Sequence, residues 1–266
     1  MTIATSGAST RVRAGWKQRV KAYLARRGLD LHKGGLVRSS IPIDASRYEC
    51  FAMHFRYAPW KLDAEFESIY EQIKHNTLVD KYRCYELWSL VEQSRKLSGS
   101  LIEVGVWRGG TSALIARRAR LSGITDSFYA CDTFRGVVKT SAADEHYVDG
   151  AHSDTSRGEA EGLFARLGLD NVRILEGIFP DETAGGVEPA DARFRFCHID
   201  VDIYQGAAGI MDWIWGRMVV GGVVVFDDYG FNTTVGVTRY VDETKDRDDR
   251  IYLYNLNGHA VFVKIK

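Results

Sequence analysis

The stretch from Ser100 to Ser112, SLIEVGVWRGGTS, most constrains what this chain can fold into. A short apolar run (Leu101, Ile102, Val104) stops at Gly105. Gly109 and Gly110 follow, and a helical run extends from Ser112 to Arg120. This reads as a buried strand, a tight turn and a helix start. The glycines let backbone approach a ligand closely, and the new helix offers unpaired N–H groups at its first turn.

Dinucleotide sites use G-x-G-x-x-G, so that a pyrophosphate can sit on the helix N-terminus. Here the order is Glu103-x-Gly105-x-x-x-Gly109-Gly110, with an acid where a phosphate is repelled. An acid before the turn suits a cationic ligand such as S-adenosylmethionine, which carries an ammonium and a sulfonium. Three readings stay open on this stretch: a methyl-donor site, a nucleotide site, and an ordinary strand–helix turn with a buried Glu.

Downstream, strands and helices alternate. Strands are predicted over 101–105, 127–131, 172–176, 194–199 and 222–226, and helices over 110–120, 156–167, 205–218 and 233–244. Two closing strands, 250–255 and 259–265, flank the hairpin signal from Asn255 to Gly258. The expected fold is α/β: a doubly wound, mostly parallel sheet with a C-terminal antiparallel hairpin. Upstream, helices are predicted over 63–74 and 78–96, the second capped by Asn76 or Thr77. Its inward residues would be Leu78, Tyr82, Tyr85, Leu87, Trp88 and Val91. Residues 28–46 read as a linker, which divides the chain into a helical arm over 1–60 and a domain over 61–266.

Ligands of such sheets lie outside the carboxyl ends of the strands, and acids collect there. Asp132 is placed to hold a ribose diol, or to cap the residues that follow. Asp200, Asp227 and Asp228 come from strands expected to be neighbours. Crowded carboxylates repel unless a cation or a proton intervenes, and oxygen-only donors suit Mg²⁺; helix caps and salt bridges are the alternative. The loop 135–155 holds Asp144, Glu145, His146, Asp149 and His152. A loop of that length reads as a lid or binding loop that carries a proton acceptor, or as a solvated excursion. Trp213 and Trp215 read as core or interface.

Net charge is zero, but residues 1–38 hold nine basic side chains against Asp30 alone. A basic arm on an acidic body argues against nucleic acid as a partner of the whole chain. The arm suits docking, on a neighbouring subunit for instance, or contact with an anionic surface. Trp16, Val20, Tyr23 and Leu24 fall near one helical face. No apolar run is long enough for a membrane span, and no secretory leader is apparent. Cys50, Cys84, Cys131 and Cys197 lack metal spacing, so a reducing cytoplasm is expected.

Five segments appear together in order: Ile102–Gly110 (IEVGVWRGG), Asp132–Gly136 (DTFRG), Leu175–Gly177 with Phe179, Ile199–Tyr204 (IDVDIY), and Gly221-Gly222 running to Asp227-Asp228-Tyr229. Over about 75–266 the chain resembles the macrocin O-methyltransferase (TylF-type) family, which methylates sugar hydroxyls of macrolides, aminocoumarins and related glycosides. The resemblance implies a class I methyltransferase fold, S-adenosylmethionine and Mg²⁺. It implies that Glu103 and Gly105 hold the methionine portion; Trp107 and Gly109, in the same turn, are further cofactor-binding candidates. Asp132 would hold the ribose, with Thr133 and Phe134 beside it, and Glu176 and Gly177 would lie near the adenine. Asp200, Asp227 and Asp228 would be the metal ligands, with Asp200 also beside the cofactor, and Asn76, Thr77 and Leu78 would close over the cofactor. In the similar catechol-type enzymes a lysine stands three positions after the first metal Asp. Here Ile203 stands there, which favours a sugar acceptor.

The expected function is Mg²⁺-dependent O-methylation of a sugar on a glycoside or glycan, by a homo-oligomer. Asp200 aligns the acceptor through the metal, and Asp202, or behind it His146, takes the proton. The rival readings are a nicotinamide-dependent sugar oxidoreductase and a methyltransferase acting on a non-sugar vicinal diol.

Overall fold

A computed structural model describes residues 19–20, 22–24, 26–27, 29–32, 35–38, 44, 46–48 and 57–266. The chain divides into two compact units, Met1–Tyr57 and Ala58–Lys266. In the first, β1 (Leu29–His32) pairs antiparallel with β2 (Gly35–Arg38), so the linker expected over 28–46 contains a hairpin. Strands of four residues are too short to declare themselves by periodicity. Arg19, Val20 and Ala22–Leu24 are helical; Trp16 and most of the basic arm lie outside the described residues.

The second unit opens with α1 (Ala64–Ile73). The Asp63 carboxylate caps it by accepting from Phe66 N–H at 3.0 Å, and also accepts from Trp88 Nε1 at 2.8 Å. Phe66, Ile69 and Ile73 are the buried stripe. The next helix, α2 (Lys81–Ser94), starts later than its periodicity suggests. Asp80 is its cap, accepting from the N–H groups of Tyr82 (2.8 Å) and Arg83 (3.1 Å). Leu87, Trp88 and Val91 are buried as expected, but Leu78 and Tyr82 are 61% and 53% exposed. Leu78 precedes the helix, so helical phase does not govern it.

Among the described residues, seven strands form the main sheet: β3 (Ser100–Val104), β4 (Phe128–Asp132), β5 (Val172–Glu176), β6 (Phe194–Ile199), β7 (Met218–Phe226), β8 (Arg250–Tyr254) and β9 (Ala260–Lys264). Their order is β5-β4-β3-β6-β7-β9-β8. The first five are parallel, and β9 runs antiparallel to both β7 and β8. Strand order reverses between β3 and β6, which opens a crevice at their carboxyl ends.

Helices α3 (Gly110–Leu121), α4 (Arg157–Arg166), α5 (Tyr204–Ile214) and α6 (Val235–Thr244) complete the layers. Successive strand residues face opposite ways. Leu101 and Phe128 join one apolar cluster with Phe66, Trp88 and Leu114, while Ile102 and Tyr129 join the other with Met211, Phe226 and Val241. Both faces are covered, which is why these strands read as continuous apolar runs.

One boundary differs by physical cause. A helix is predicted over 205–218 and a strand from 222, yet α5 ends at Ile214 and β7 already begins at Met218. The pairing register slips between Phe194 and Phe196, opposite this segment, and Gly221 has φ 84°. The glycines mark a bulge inside a strand. Among the described residues no helix is long and apolar enough to cross a membrane.

Candidate active site

The crevice holds a cavity of about 340 Å³ lined from the ends of β3, β4, β6 and β7. Its floor is the glycine turn. Gly105 has φ 95°, and a Cβ there would lie 1.7 Å from the Asp200 carbonyl oxygen. Gly110 N–H donates to the Asn76 carbonyl at 2.9 Å, and a Cβ there would lie 2.5 Å from that oxygen. These glycines therefore admit neighbouring chain, and that close packing brings Thr77 and Leu78 to the cavity wall. Gly105 and Trp107 (φ 47°) line the cavity. Gly109, at φ 86°, instead backs onto Ala160 and Phe164.

Glu103 corrects the simplest expectation for an acid before a glycine turn. It is fully buried and does not line the cavity. Ser112 Oγ donates to one of its oxygens, and His198 Nδ1 lies 2.7 Å from the other. Strand alternation explains this: Val104 and Gly105 reach the cavity at the strand end, while Glu103 pairs sideways with His198 on β6.

Asp132 ends β4 and lines the cavity. It accepts from the backbone N–H groups of Val106 (2.6 Å), Trp107 (2.8 Å) and Phe134 (2.6 Å). A carboxylate has about four lone-pair sites, so one is left for a ligand hydroxyl. Thr133 and Gly177 line the same wall. Phe134 sends its side chain into the core instead, and Glu176 is exposed, with Arg157 3.6 Å away.

Asp200, Asp202, Asp227 and Asp228 all line the cavity. Asp200, Asp227 and Asp228 each offer an oxygen within 4.8 Å of the others. Burial, together with the charge of neighbouring aspartates, pushes Asp200 and Asp228 well above the usual carboxylate range. For Asp227, burial acts the same way. His198, His259 and Arg83 outweigh it and hold the carboxyl well below that range. Arg83 Nη1 donates to Asp227 Oδ2, and His259 Nε2 lies 2.9 Å from Asp227 Oδ1. Burial alone disfavours a charged His198; Asp227 and Glu103 outweigh it and push its pKa up to about 10. The chemistry of this donor set, hard oxygens short of positive charge, fits Mg²⁺.

Asp202 has φ 64°, a strained conformation for a non-glycine residue. Its N–H donates to Asp228 Oδ2 at 3.0 Å, which aims its carboxylate back toward the cavity. Burial raises its pKa, while a hydrogen bond from Tyr147 opposes the rise. Tyr147 comes from the long loop, and the anchor of that loop is Asp144. The buried Asp144 carboxylate accepts from Tyr204 N–H at the start of α5 (2.8 Å) and from Ser141 N–H (3.0 Å) and Oγ (2.8 Å). The turn that follows directs Tyr147 inward with His152, while His146 is exposed and does not line the cavity. His146 is thus out of place for proton transfer. Reading by residue type favours the histidine, and which of two adjacent loop residues points inward is decided by the anchor. Arg83 and His259 carried no sequence signal for the site, since neither lies at the carboxyl end of a parallel strand.

A family model of macrocin O-methyltransferase (TylF) matches residues 73–263. The chain belongs to the TylF family. A relative from Streptomyces olivaceus, an 8-demethyl-8-(2,3-dimethoxy-alpha-L-rhamnosyl)-tetracenomycin-C 4'-O-methyltransferase, is 32% identical over 145 residues, 50% of this chain and 54% of that protein. The mycinamicin III 3''-O-methyltransferase of Micromonospora griseorubida is 26% identical over 60% of this chain and 67% of its own length. The match thus spans little more than half of the first relative. The solved O-methyltransferase NovP superposes with a TM-score of 0.60 at 23% identity, over 72% of this chain and 83% of its own. The calicheamicin methyltransferase CalS11 superposes with a TM-score of 0.58 at 13% identity, over 81% and 99%. Both likenesses bear on the fold, which is that of class I O-methyltransferases.

Proposed function

We propose that this chain moves a methyl group from S-adenosylmethionine to a sugar hydroxyl of a glycoside, with Mg²⁺ held by Asp200, Asp227 and Asp228. The observation that carries the reading is the convergence of these three acids with Asp202 and Asp132 on one cavity at the switch point of the sheet. The sugar acceptor rests on the family and on the relatives, the first of which is named for a rhamnosyl-bearing substrate.

In this reading Asp132 uses its remaining acceptor site for the ribose diol, with Thr133 and Gly177 beside it. Thr77, Leu78 and Trp107 flank the rest of the cofactor. Asp200, Asp227 and Asp228 would hold Mg²⁺, whose charge would make a neighbouring acceptor hydroxyl more acidic. Asp202 accepts the proton of that hydroxyl; its buried, strained seat gives it a higher proton affinity than an exposed aspartate has. Tyr147 donates to Asp202 and keeps its carboxylate aimed. The hydroxyl oxygen forms the new bond to the methyl carbon as the carbon–sulfur bond breaks, and the electron pair of that bond stays on sulfur. Alignment supplies most of the acceleration, on the order of 7–11 kcal/mol in favourable cases. Ile203, buried at the cavity, stands where the catechol-type enzymes have their lysine, and Lys139, on the cavity wall, is paired with Asp181.

The test is methyl transfer from labelled cofactor to a panel of rhamnosides, other deoxyglycosides and catechols, with and without EDTA. Label on a sugar, lost in EDTA, is expected. Label on catechol alone, or equal turnover in EDTA, overturns the reading.

A further inference from the structure

Below the cavity lies a second cluster with a different donor chemistry. His198 comes from β6, Asp227 directly follows β7, and His259 directly precedes β9. All three are buried, and their donor atoms lie within 4.8 Å of one another. Both imidazoles aim Nε2 at the same oxygen. Asp227 Oδ1 is 2.9 Å from His259 Nε2 and 3.6 Å from His198 Nε2. The second distance is too long for a hydrogen bond, and His198 Nε2 has no partner although its side chain is fully buried.

Each of the three side chains is also gripped from behind. Glu103 Oε1 holds His198 Nδ1 at 2.7 Å, and Glu86 Oε2 holds His259 Nδ1 at 2.8 Å. Arg83 holds the far oxygen of Asp227. Glu86 is itself fixed by the side chains of Asn255 and of Asn257 (2.7 Å), in the turn between β8 and β9. A carboxylate on each Nδ1 sets the tautomer that leaves Nε2 free to bind a metal, and such partners recur behind metal-bound histidines.

We propose that His198, Asp227 and His259 form a site for a borderline divalent transition ion of the Zn²⁺ type, sharing Asp227 with the oxygen-donor set above it. Imidazole nitrogens suit such an ion, whereas the all-oxygen set suits Mg²⁺. Among the described residues, Arg83 on Asp227 is the one guanidinium or ammonium recorded against Glu86, Glu103 or Asp227, so further positive charge is needed among them. One divalent ion supplies it with both rings neutral. Asp227 lines the cavity and gives the ion a route in. The ion would tie β6, β7 and β9 together and fix Asp227 from below. This is a structural role that does not depend on the reaction proposed above.

The test reads metal, not turnover. The full chain is produced with added Zn²⁺, gel-filtered, and its metal content is measured. A second portion is unfolded, refolded with Co²⁺ and examined for visible d–d bands. We expect about one Zn²⁺ per chain and cobalt bands of a nitrogen-bearing site. His259→Asn and His198→Asn should lose both signals. Asp200→Asn, which alters the oxygen set alone, should keep them, so a folding defect in one histidine variant does not decide the matter. No stoichiometric metal in either preparation would falsify the site. So would metal that persists in both histidine variants. If Zn²⁺ binds but no glycoside is methylated, this site stands and the proposed reaction falls.

Discussion

Arg83, in the first turn of α2, donates to Asp227, 144 positions later and directly after β7. A helix outside the alternating strand–helix core thereby supplies a fixed cation to the acid cluster. Arg83→Met should leave the buried aspartates short of positive charge. Breaking such a buried pair typically costs about 3–5 kcal/mol. Urea unfolding should show that loss without a divalent ion, and millimolar Mg²⁺ should restore part of it. Equal stability of variant and parent would show that the pair is not holding charge.

Asp202→Asn keeps the shape of the side chain and removes its basicity. The expected result is a drop in kcat of about 10²–10⁴-fold with little change in the affinity for S-adenosylhomocysteine, measured by calorimetry. Tyr147→Phe should reduce kcat less, because it loosens the carboxylate without removing it.

Asp144→Ala should release the 135–155 loop from α5. The anchor is a carboxylate accepting three hydrogen bonds, so Asp144→Asn, which keeps one acceptor oxygen, should rescue part of the effect. Raised KM for the acceptor and faster proteolysis of the loop are the expected readouts; unchanged proteolysis in Asp144→Ala would remove the loop from the mechanism.

Two glycine substitutions should move stability in opposite directions. Gly105→Ala places a methyl 1.7 Å from the Asp200 carbonyl oxygen at φ 95°, and should cost more than about 3 kcal/mol. Gly162→Ala, inside α4 with nothing within 4 Å, should stabilise by about 1 kcal/mol. Denaturant midpoints measure both.

The pH dependence follows from the directions of the carboxyl shifts. Asp200 and Asp228 are raised above 3.8, so the metal-free folded chain binds more protons than the unfolded chain, and their contribution fades as pH rises. Asp227 is lowered; its contribution is present above 3.8 and fades only in acid. Thermal melts between about pH 5 and pH 8 should therefore show the Mg²⁺-induced rise in Tm growing with pH. A rise independent of pH would detach Mg²⁺ from these acids.

Local patterning determined the order and type of the elements, because apolar runs, glycine punctuation and strand-end acids are properties of neighbouring residues. The strand–turn–helix at Ser100–Ser112 and the acids Asp132, Asp200, Asp227 and Asp228 were legible on those grounds. Tertiary structure decided which way the side chains face and which distant residues meet. Glu103 is an acid before a glycine turn, yet strand alternation sends it to His198 and away from the cavity. His146 and Tyr147 are adjacent in sequence, and the Asp144 anchor selects the tyrosine. Arg83, Glu86 and His259 reach Asp227 or its neighbours across separations that no local pattern encodes. Burial makes those contacts matter, because a charge withdrawn from water must find its counterpart wherever the fold brings one near.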